Sequence, residues 1–217
     1  SVWAEYAIAD YGRVIKIPDN NMDFATASTL PIALATMHNA IVTIGNFSKG
    51  QTILIQGASS GVGLMGLQIA KHLGAKLVIG TSTKPEKFDK LKSIGADLVV
   101  NSKDKDWVDR VLQATNNEGV DLIIDQLSGY TINENMRASK VKGTIVNVGR
   151  LAGGNTEFNC DLHALRRINY RGVTFRTRSI NEIREVYSKM WSDLGDLVVK
   201  GKLSLPIEKI FEFDDVS

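Results

Sequence analysis

Cysteine, proline and an excess of either charge are scarce in this sequence of 217 residues, and each shortage excludes a class of protein. A single cysteine, Cys160, closes no intrachain disulfide and builds no cysteine-rich zinc cluster, so a reducing cytoplasm is the expected location. Four prolines are too few for a collagen-like or proline-rich chain. The 26 Lys and Arg nearly balance 24 Asp and Glu, and a net charge of +2 gives no chain-wide field for nucleic acid or an anionic membrane. An anionic ligand must then be held by a local site. Unbroken apolar runs fall well short of the ~20 residues of a spanning helix, so no membrane partner is expected. The chain opens at Ser1, with no basic segment leading into an apolar stretch, and reads as a processed or excised piece.

What is present is a chain with 43% hydrophobic residues, arranged in two alternating periods. Thr52 to Gln56 reads as a buried strand, and Val62, Met65, Ile69 and Leu73 mark one face of a helix that Gly74 can end in a left-handed cap. The cycle repeats. Lys76 to Gly80 is a second strand; Pro85 opens a helix carrying Phe88, Leu91 and Ile94, closed by Gly95. Leu98 to Val100, Val120 to Asp125 and Thr144 to Val148 follow as strands, with a helix at Trp107, Val108, Val111 and Leu112 and a sixth strand at Gly172 to Phe175. Apolar strands separated by amphipathic helices predict an α/β fold with a mostly parallel, doubly wound sheet of about six strands. The flanks differ. AEYAIA and RVIKIPDN near the start suggest a strand and a turn, and residues 176–217 suggest a long helix and then a strand at Leu205 to Phe213.

The strongest chemical signal is Gln56-Gly57-Ala58-Ser59-Ser60-Gly61-Val62-Gly63, set between a strand and a helix. Small residues let the backbone turn sharply and approach a diphosphate, whose charge meets free amides at the positive end of the helix. Gly61, Gly63 and Gly66 match the glycine spacing literally, but a turn that begins directly after the strand favours Ala58, Ser60 and Gly63 in those roles. The acid that holds a ribose 2′-hydroxyl about 20 residues further on is missing. In its place stand Thr81, Ser82, Thr83, Lys84 and Lys87, donors that suit a 2′-phosphate and so NADP(H) over NAD(H). Thr81 to Thr83 could equally serve only to cap the helix near Pro85.

Rival chemistries fail on particular residues. Gly45 to Thr52 is spaced like a P-loop, but Gln51 replaces its lysine and a strand follows it. No tyrosine has a lysine four positions on, as a short-chain reductase needs. Arg166, Arg167, Arg171, Arg176 and Arg178 form a basic cluster that could meet a phosphate polymer, although nucleic acid is the weaker reading. Gly172 to Phe175, at a sheet edge, could pair with a second copy to give a homodimer. His38 lies near Thr36 and could orient a substrate, although a lone histidine on an apolar helix reads first as a structural residue; His72 and His163 read as ordinary helix residues, and Cys160 as a small packing residue.

Four stretches resemble a known family: AEYAIA…VIKIPDN; TASTLPIALATMHNAI with SKGQTILIQGASSGVG; GTIVNVGRLAGG; and RRINYRGVTFRTRS. They resemble the zinc-independent quinone oxidoreductases of the medium-chain dehydrogenase/reductase superfamily. The resemblance implies a Rossmann domain at residues 31–175 flanked by remnants of a GroES-like catalytic domain, at 1–30 and as a return segment at 176–217. It implies NADPH-dependent hydride transfer to a quinone or to an activated alkene conjugated to a carbonyl. The alternatives are an enoyl-thioester reductase of the same superfamily, or a truncated nucleotide-binding chain without catalysis. Carried over by residue, Ser59, Ser60, Gly61, Val62 and Gly63 hold the diphosphate, Ser82, Thr83 and Lys87 the 2′-phosphate, and Thr36 lies near the nicotinamide. Ser102 stands where many relatives have a tyrosine beside that phosphate, and Gln126, Leu127, Gly149 and Arg150 meet the cofactor at strand ends. Ile32 stands where the alcohol-dehydrogenase branch has a cysteine ligand to zinc, so the resemblance implies no metal and no assigned catalytic acid.

Overall fold

The apolar runs form strands at Thr52–Ile55 (β1), Leu77–Thr81 (β2), Leu98–Val100 (β3), Val120–Asp125 (β4), Ser139–Asn147 (β5) and Asn169–Gly172 (β6). In the computed structural model, which describes residues 6–18 and 22–215, these make one sheet in the order β3-β2-β1-β4-β5-β6. Every pairing is parallel. The chain winds outward from β1 in one direction, returns, and winds outward again from β4. The carboxyl ends of β1 and β4 therefore frame the switch point at which doubly wound sheets take their ligands.

The connecting helices are Phe24–His38 (α1), Gly61–His72 (α2), Phe88–Ile94 (α3), Trp107–Ala114 (α4), Ile132–Ala138 (α5) and Cys160–Arg166 (α6), with Ile180–Val199 (α7) after the sheet. Gly74 and Gly95 end the second and third of them at φ 78° and 133°, backbone that a side chain would strain. The helices α5 and α6 have seven residues each, too short to display a repeating apolar stripe.

The chain divides into two compact units, residues 32–173 and residues 1–31 with 174–217. In the first, Leu54, Ile79, Ile123 and Ile145 of the sheet are fully buried and share a core cluster with Trp107, Val111 and Met136. In the second, Arg184 of α7 donates to both carboxylate oxygens of Asp10, at 2.9 and 2.6 Å, and stacks on the Tyr11 ring. A capping box at Ser179 and Glu182 starts α7.

Five expectations are corrected. The sixth strand is Asn169–Gly172, not Gly172 to Phe175, because its register is set by Thr144 to Asn147 of β5. Only Val173 extends that ladder, bonding to Asn147 at 2.9 Å where β5 stops. β5 itself starts at Ser139, five residues early, across a break in its pairing with β4. Leu205 to Phe213 has no ladder partner and forms no strand; Ile210 and Phe211 are exposed. Of AEYAIA, Tyr6 to Ala9 is irregular and Ala4 and Glu5 lie outside the described residues, as do Asp19 and Asn20 of the expected turn. Finally, α1 and its π-helical continuation run unbroken over Phe24–Ile44, 21 residues, long and apolar enough to cross a membrane by length and composition. Half of that apolar window is buried in the protein, as in a core helix.

Ile123 is fully buried in the central strand, whereas Ile207 is 40% exposed outside regular structure. Urea unfolding is expected to show a loss of about 2–5 kcal/mol for Ile123→Ala and under about 1 kcal/mol for Ile207→Ala.

Candidate functional site

The glycine loop occupies the switch point. Gly57 turns the chain out of β1 at φ 67°, and Ser60 caps α2, its hydroxyl accepting from the Gly63 amide at 3.1 Å. A β-carbon on Gly63 would lie 2.6 Å from the Gly57 carbonyl oxygen and 2.7 Å from the Ala58 backbone. Gly63 is thus the residue that lets helix and strand approach, the third role in the register that begins at Ala58. On Gly61 the same carbon would meet nothing within 4 Å. The amides of Gly61 and Val62 have no acceptor among the described residues, as expected at a helix start. An open cradle of donors therefore sits on the positive end of a helix, an arrangement that fits a diphosphate.

Beneath the loop lies a buried polar network. The Thr81 hydroxyl donates to Gln56 Oε1 at 2.7 Å and accepts from the Gly57 amide at 3.0 Å; Gln56 Nε2 donates to Asn135 Oδ1 at 2.6 Å. Ser60 Oγ donates to Gln126 Oε1 at 3.1 Å, and Gln126 Nε2 donates to the Gln56 carbonyl at 2.9 Å. Gln56, Thr81 and Asn135 are fully buried, so each unmade bond would cost about 1–3 kcal/mol, and the network fixes the turn. Sequence reading missed Asn135, because its partner lies 79 residues away.

The second rim of the switch point is held by Asp125, the last residue of β4. Its Oδ1 accepts from the amides of Leu127 and Ser128, both at 2.9 Å, while Oδ2 is buried without a hydrogen-bond partner. Burial pushes this carboxyl above the usual carboxylate range, against those two amides and the Asn135 side chain. Ser128 is held in the left-handed region, at φ 55°, and its hydroxyl donates to the Gly149 carbonyl at 2.8 Å. Asn147 donates to Ser128 Oγ, and Arg150 reaches Asn147 Oδ1 at 3.4 Å.

The residues named from sequence fall into three groups. Ser59, Ser60, Gly61, Val62 and Gly63 form the cradle, and Gln126 is bonded to it. Ser82 is buried; its hydroxyl donates to Ser59 at 3.3 Å and accepts from the Lys84 amide at 3.2 Å, while Thr83 is exposed and Lys87 half-buried. Leu127, Gly149 and Arg150 cluster around Ser128, and Ser102 pairs at 3.2 Å with the Tyr130 hydroxyl, a partner that sequence spacing did not reveal. Thr36 is half-buried on α1, next to Met37, whose sulfur lies 3.1 Å from where a Gly66 β-carbon would be.

Other readings change. Cys160 is exposed at the start of α6 and is not a packing residue. His38 is fully buried, as a core histidine would be. The arginine cluster is divided: Arg166 donates to the Ser139 carbonyl at 2.7 Å and Arg171 to that of Ile44 at 3.3 Å, while Arg176 and Arg178 belong to the other compact unit.

Comparison with known proteins agrees with this geometry: a family model described as zinc-binding dehydrogenase matches residues 61–192. The chain belongs to that family. It is thereby a member of the medium-chain dehydrogenase/reductase superfamily. A quinone oxidoreductase of Pongo abelii is 27% identical over 97% of this chain and 63% of its own length. Highly reducing polyketide synthase 40 of Fusarium pseudograminearum is 29% identical over 91% of this chain but 8% of its own. The quinone oxidoreductase of Pseudomonas syringae pv. Tomato DC3000 shares the fold at a TM-score of 0.79, with 24% identity over 93% of this chain and 61% of that one. The chain therefore spans less than two thirds of each. For all the family's name, no group of three His, Cys, Asp or Glu among the described residues could hold a metal ion, and Ile32 is exposed on α1. These residues do not fit a zinc site.

Two outcomes test the site's construction in this dehydrogenase-family chain. Gly→Ala inside a helix ordinarily stabilises by about 0.5–1 kcal/mol. Gly63→Ala is expected to destabilise by about 1–3 kcal/mol instead, with Gly61→Ala neutral or stabilising, in chemical denaturation. For Asp125, the folded carboxyl titrates above its unfolded value of ~3.9, so its contribution is whole below that pH and is lost as pH rises through the folded value. Asp125→Asn carries no such charge. Its stability relative to wild type is expected to improve as pH rises above about 4 and to level off once the folded value is passed; parallel curves would refute the raised pKa of Asp125.

Proposed function

We propose that this chain is the cofactor-binding part of an NADPH-dependent reductase that delivers hydride to a quinone or to an alkene conjugated to a carbonyl. The observation that carries the reading is the open cradle of Gly61 and Val62 amides at the switch point, next to a β2 end that bears no carboxylate. The diphosphate sits on those amides, in the space a Gly61 side chain would occupy. Beyond β2, the Thr83 hydroxyl and the Lys87 ammonium take the 2′-phosphate, whereas Ser82, committed to Ser59 and Lys84, shapes the turn. When bound, the nicotinamide cofactor supplies a hydride from C4 of its ring. The chain's part is positioning: the rim of Gln126, Leu127, Gly149 and Arg150, fixed by Asp125 and Ser128, orients the ring end of the cofactor. No side chain of this chain is assigned as proton donor.

An enoyl thioester is the second electrophile to consider, favoured by the match of 91% of this chain to a segment of a highly reducing polyketide synthase. The exposed edge of β6, at Asn169 to Gly172, is the surface proposed for pairing two copies, and the exposed Cys160 thiol suits a reducing cytoplasm.

Fluorescence titration with NADPH and NADH tests the reading. NADPH is expected to bind more tightly; Lys87→Gln raises its Kd about tenfold and leaves NADH unchanged, and Gly61→Ala weakens both. Tighter NADH binding, or a Lys87→Gln effect common to both, would overturn the 2′-phosphate assignment. Turnover of a quinone against an enoyl thioester then separates the two electrophiles, and binding without turnover of either marks a nucleotide-binding chain alone.

A further inference from the structure

The opposite edge of the sheet carries a second cleft. It opens at the amino ends of β4, β5 and β6, measures about 330 Å³, and has walls that are mostly polar. A break in the sheet builds it. Val120 pairs with Ser139 and Leu122 with Thr144, so β4 advances two residues while β5 advances five, and Lys140 to Gly143 loop out of the ladder. The excursion is tightly fixed: Lys142 sits at φ 66°, and a β-carbon on Gly143 would lie 2.8 Å from the Lys140 carbonyl oxygen.

The charges in this cleft are unequal. Lys140, Lys142 and Arg171 face it together with one carboxylate, Asp121. Asp121 is engaged, its Oδ2 accepting from the Thr52 amide at 2.8 Å and hydroxyl at 2.9 Å. Lys140 is matched by Glu118 at 2.7 Å, with Asp121 Oδ1 3.9 Å away. Lys142 and Arg171 have no carboxylate within ion-pair distance among the described residues. Arg171 spends one donor on the Ile44 carbonyl and keeps the rest of its fork. Around these cations stand the amides of Asn46 and Asn169, which suit hydroxyl groups.

We infer that this cleft binds a phosphate monoester on a small hydroxylated body, held by Lys142 and Arg171. Two cations left without carboxylates, Lys142 on the looped-out segment and Arg171 on β6, match a dianion, and an arginine fork matches phosphate geometry. The polar walls exclude an aromatic or alkyl body, and the volume suits a ligand of sugar-phosphate size. The site lies on the amino edge, separate from the loop at the carboxyl edge, and does not depend on the cofactor assignment.

Calorimetric titration of this chain at constant ionic strength tests it, with inorganic phosphate, glycerol 3-phosphate and glycerate as probes. Glycerol 3-phosphate is expected to bind saturably and more tightly than phosphate or glycerate, and Lys142→Gln with Arg171→Gln is expected to weaken it about tenfold or more. Both side chains belong to exposed residues, and a circular dichroism melt confirms that the double variant folds. Equal affinity in the double variant, equal binding of glycerate, or loss of binding on Gly61→Ala instead would each overturn the assignment.

Discussion

Everything at the carboxyl edge depends on one close approach, that of the first turn of α2 to the backbone of Gly57 and Ala58. A methyl group at Gly63 would overlap three backbone atoms of Gly57 and Ala58. That contact sets the helix so near the strand end that its first amides open at the switch point, where they can serve an anion. The approach leaves polar backbone without water, and the network of Gln56, Thr81, Ser60 and Gln126 replaces that water with fixed partners. Packing and binding chemistry are therefore one constraint here: the same absence of side chains closes the core below and opens the cradle above.

The second rim follows a different logic, in which strain and burial take the place of glycine. Asp125 uses one oxygen to gather the amides of Leu127 and Ser128 and leaves the other buried without a hydrogen-bond partner, and burial raises its pKa. Ser128 adopts a backbone that serine ordinarily avoids, at about 1–3 kcal/mol, and its bonds to Asp125, Gly149, Asn147 and Thr131 hold it there. The two rims meet at Gln126, which follows Asp125 in the chain and bonds to Ser60. Its amide side chain thus joins the second rim to the glycine loop by hydrogen bonds.

Much of the fold was legible in the sequence because its signals are local. β-branched runs, helical stripes and the glycines at 74 and 95 each specify their own stretch of chain, and β1, β2, β3 and β4 fall where those patterns put them. The failures occur where a partner decides. β6 ends early because β5 has nothing further to pair with, and Leu205 to Phe213 alternates without a neighbour to form a ladder. The charged stretch at Lys140 to Lys142 hid the start of β5, since a looped-out bulge has no strand periodicity. At the site, the glycine loop was visible from spacing, whereas Asn135 and Tyr130 were not: their partners lie 79 and 28 residues away.

The bulge in β5 also bears on why the two edges of the sheet differ. In a parallel sheet every strand runs the same way, so the helices that follow the strands begin at the carboxyl edge, and the amino edge is finished by turns. At β1 the finish is a carboxylate, Asp121, bonded to the Thr52 amide and hydroxyl. Lys140, where the chain leaves the ladder between Ser139 and Thr144, lies 3.9 Å from that acid. Once the excursion exists, it brings Lys142 with it and leaves a charge that no internal group neutralises. The basic cleft is thus a consequence of how the sheet closes its amino edge, and this places a second anion-attracting surface on a chain whose overall charge is close to zero.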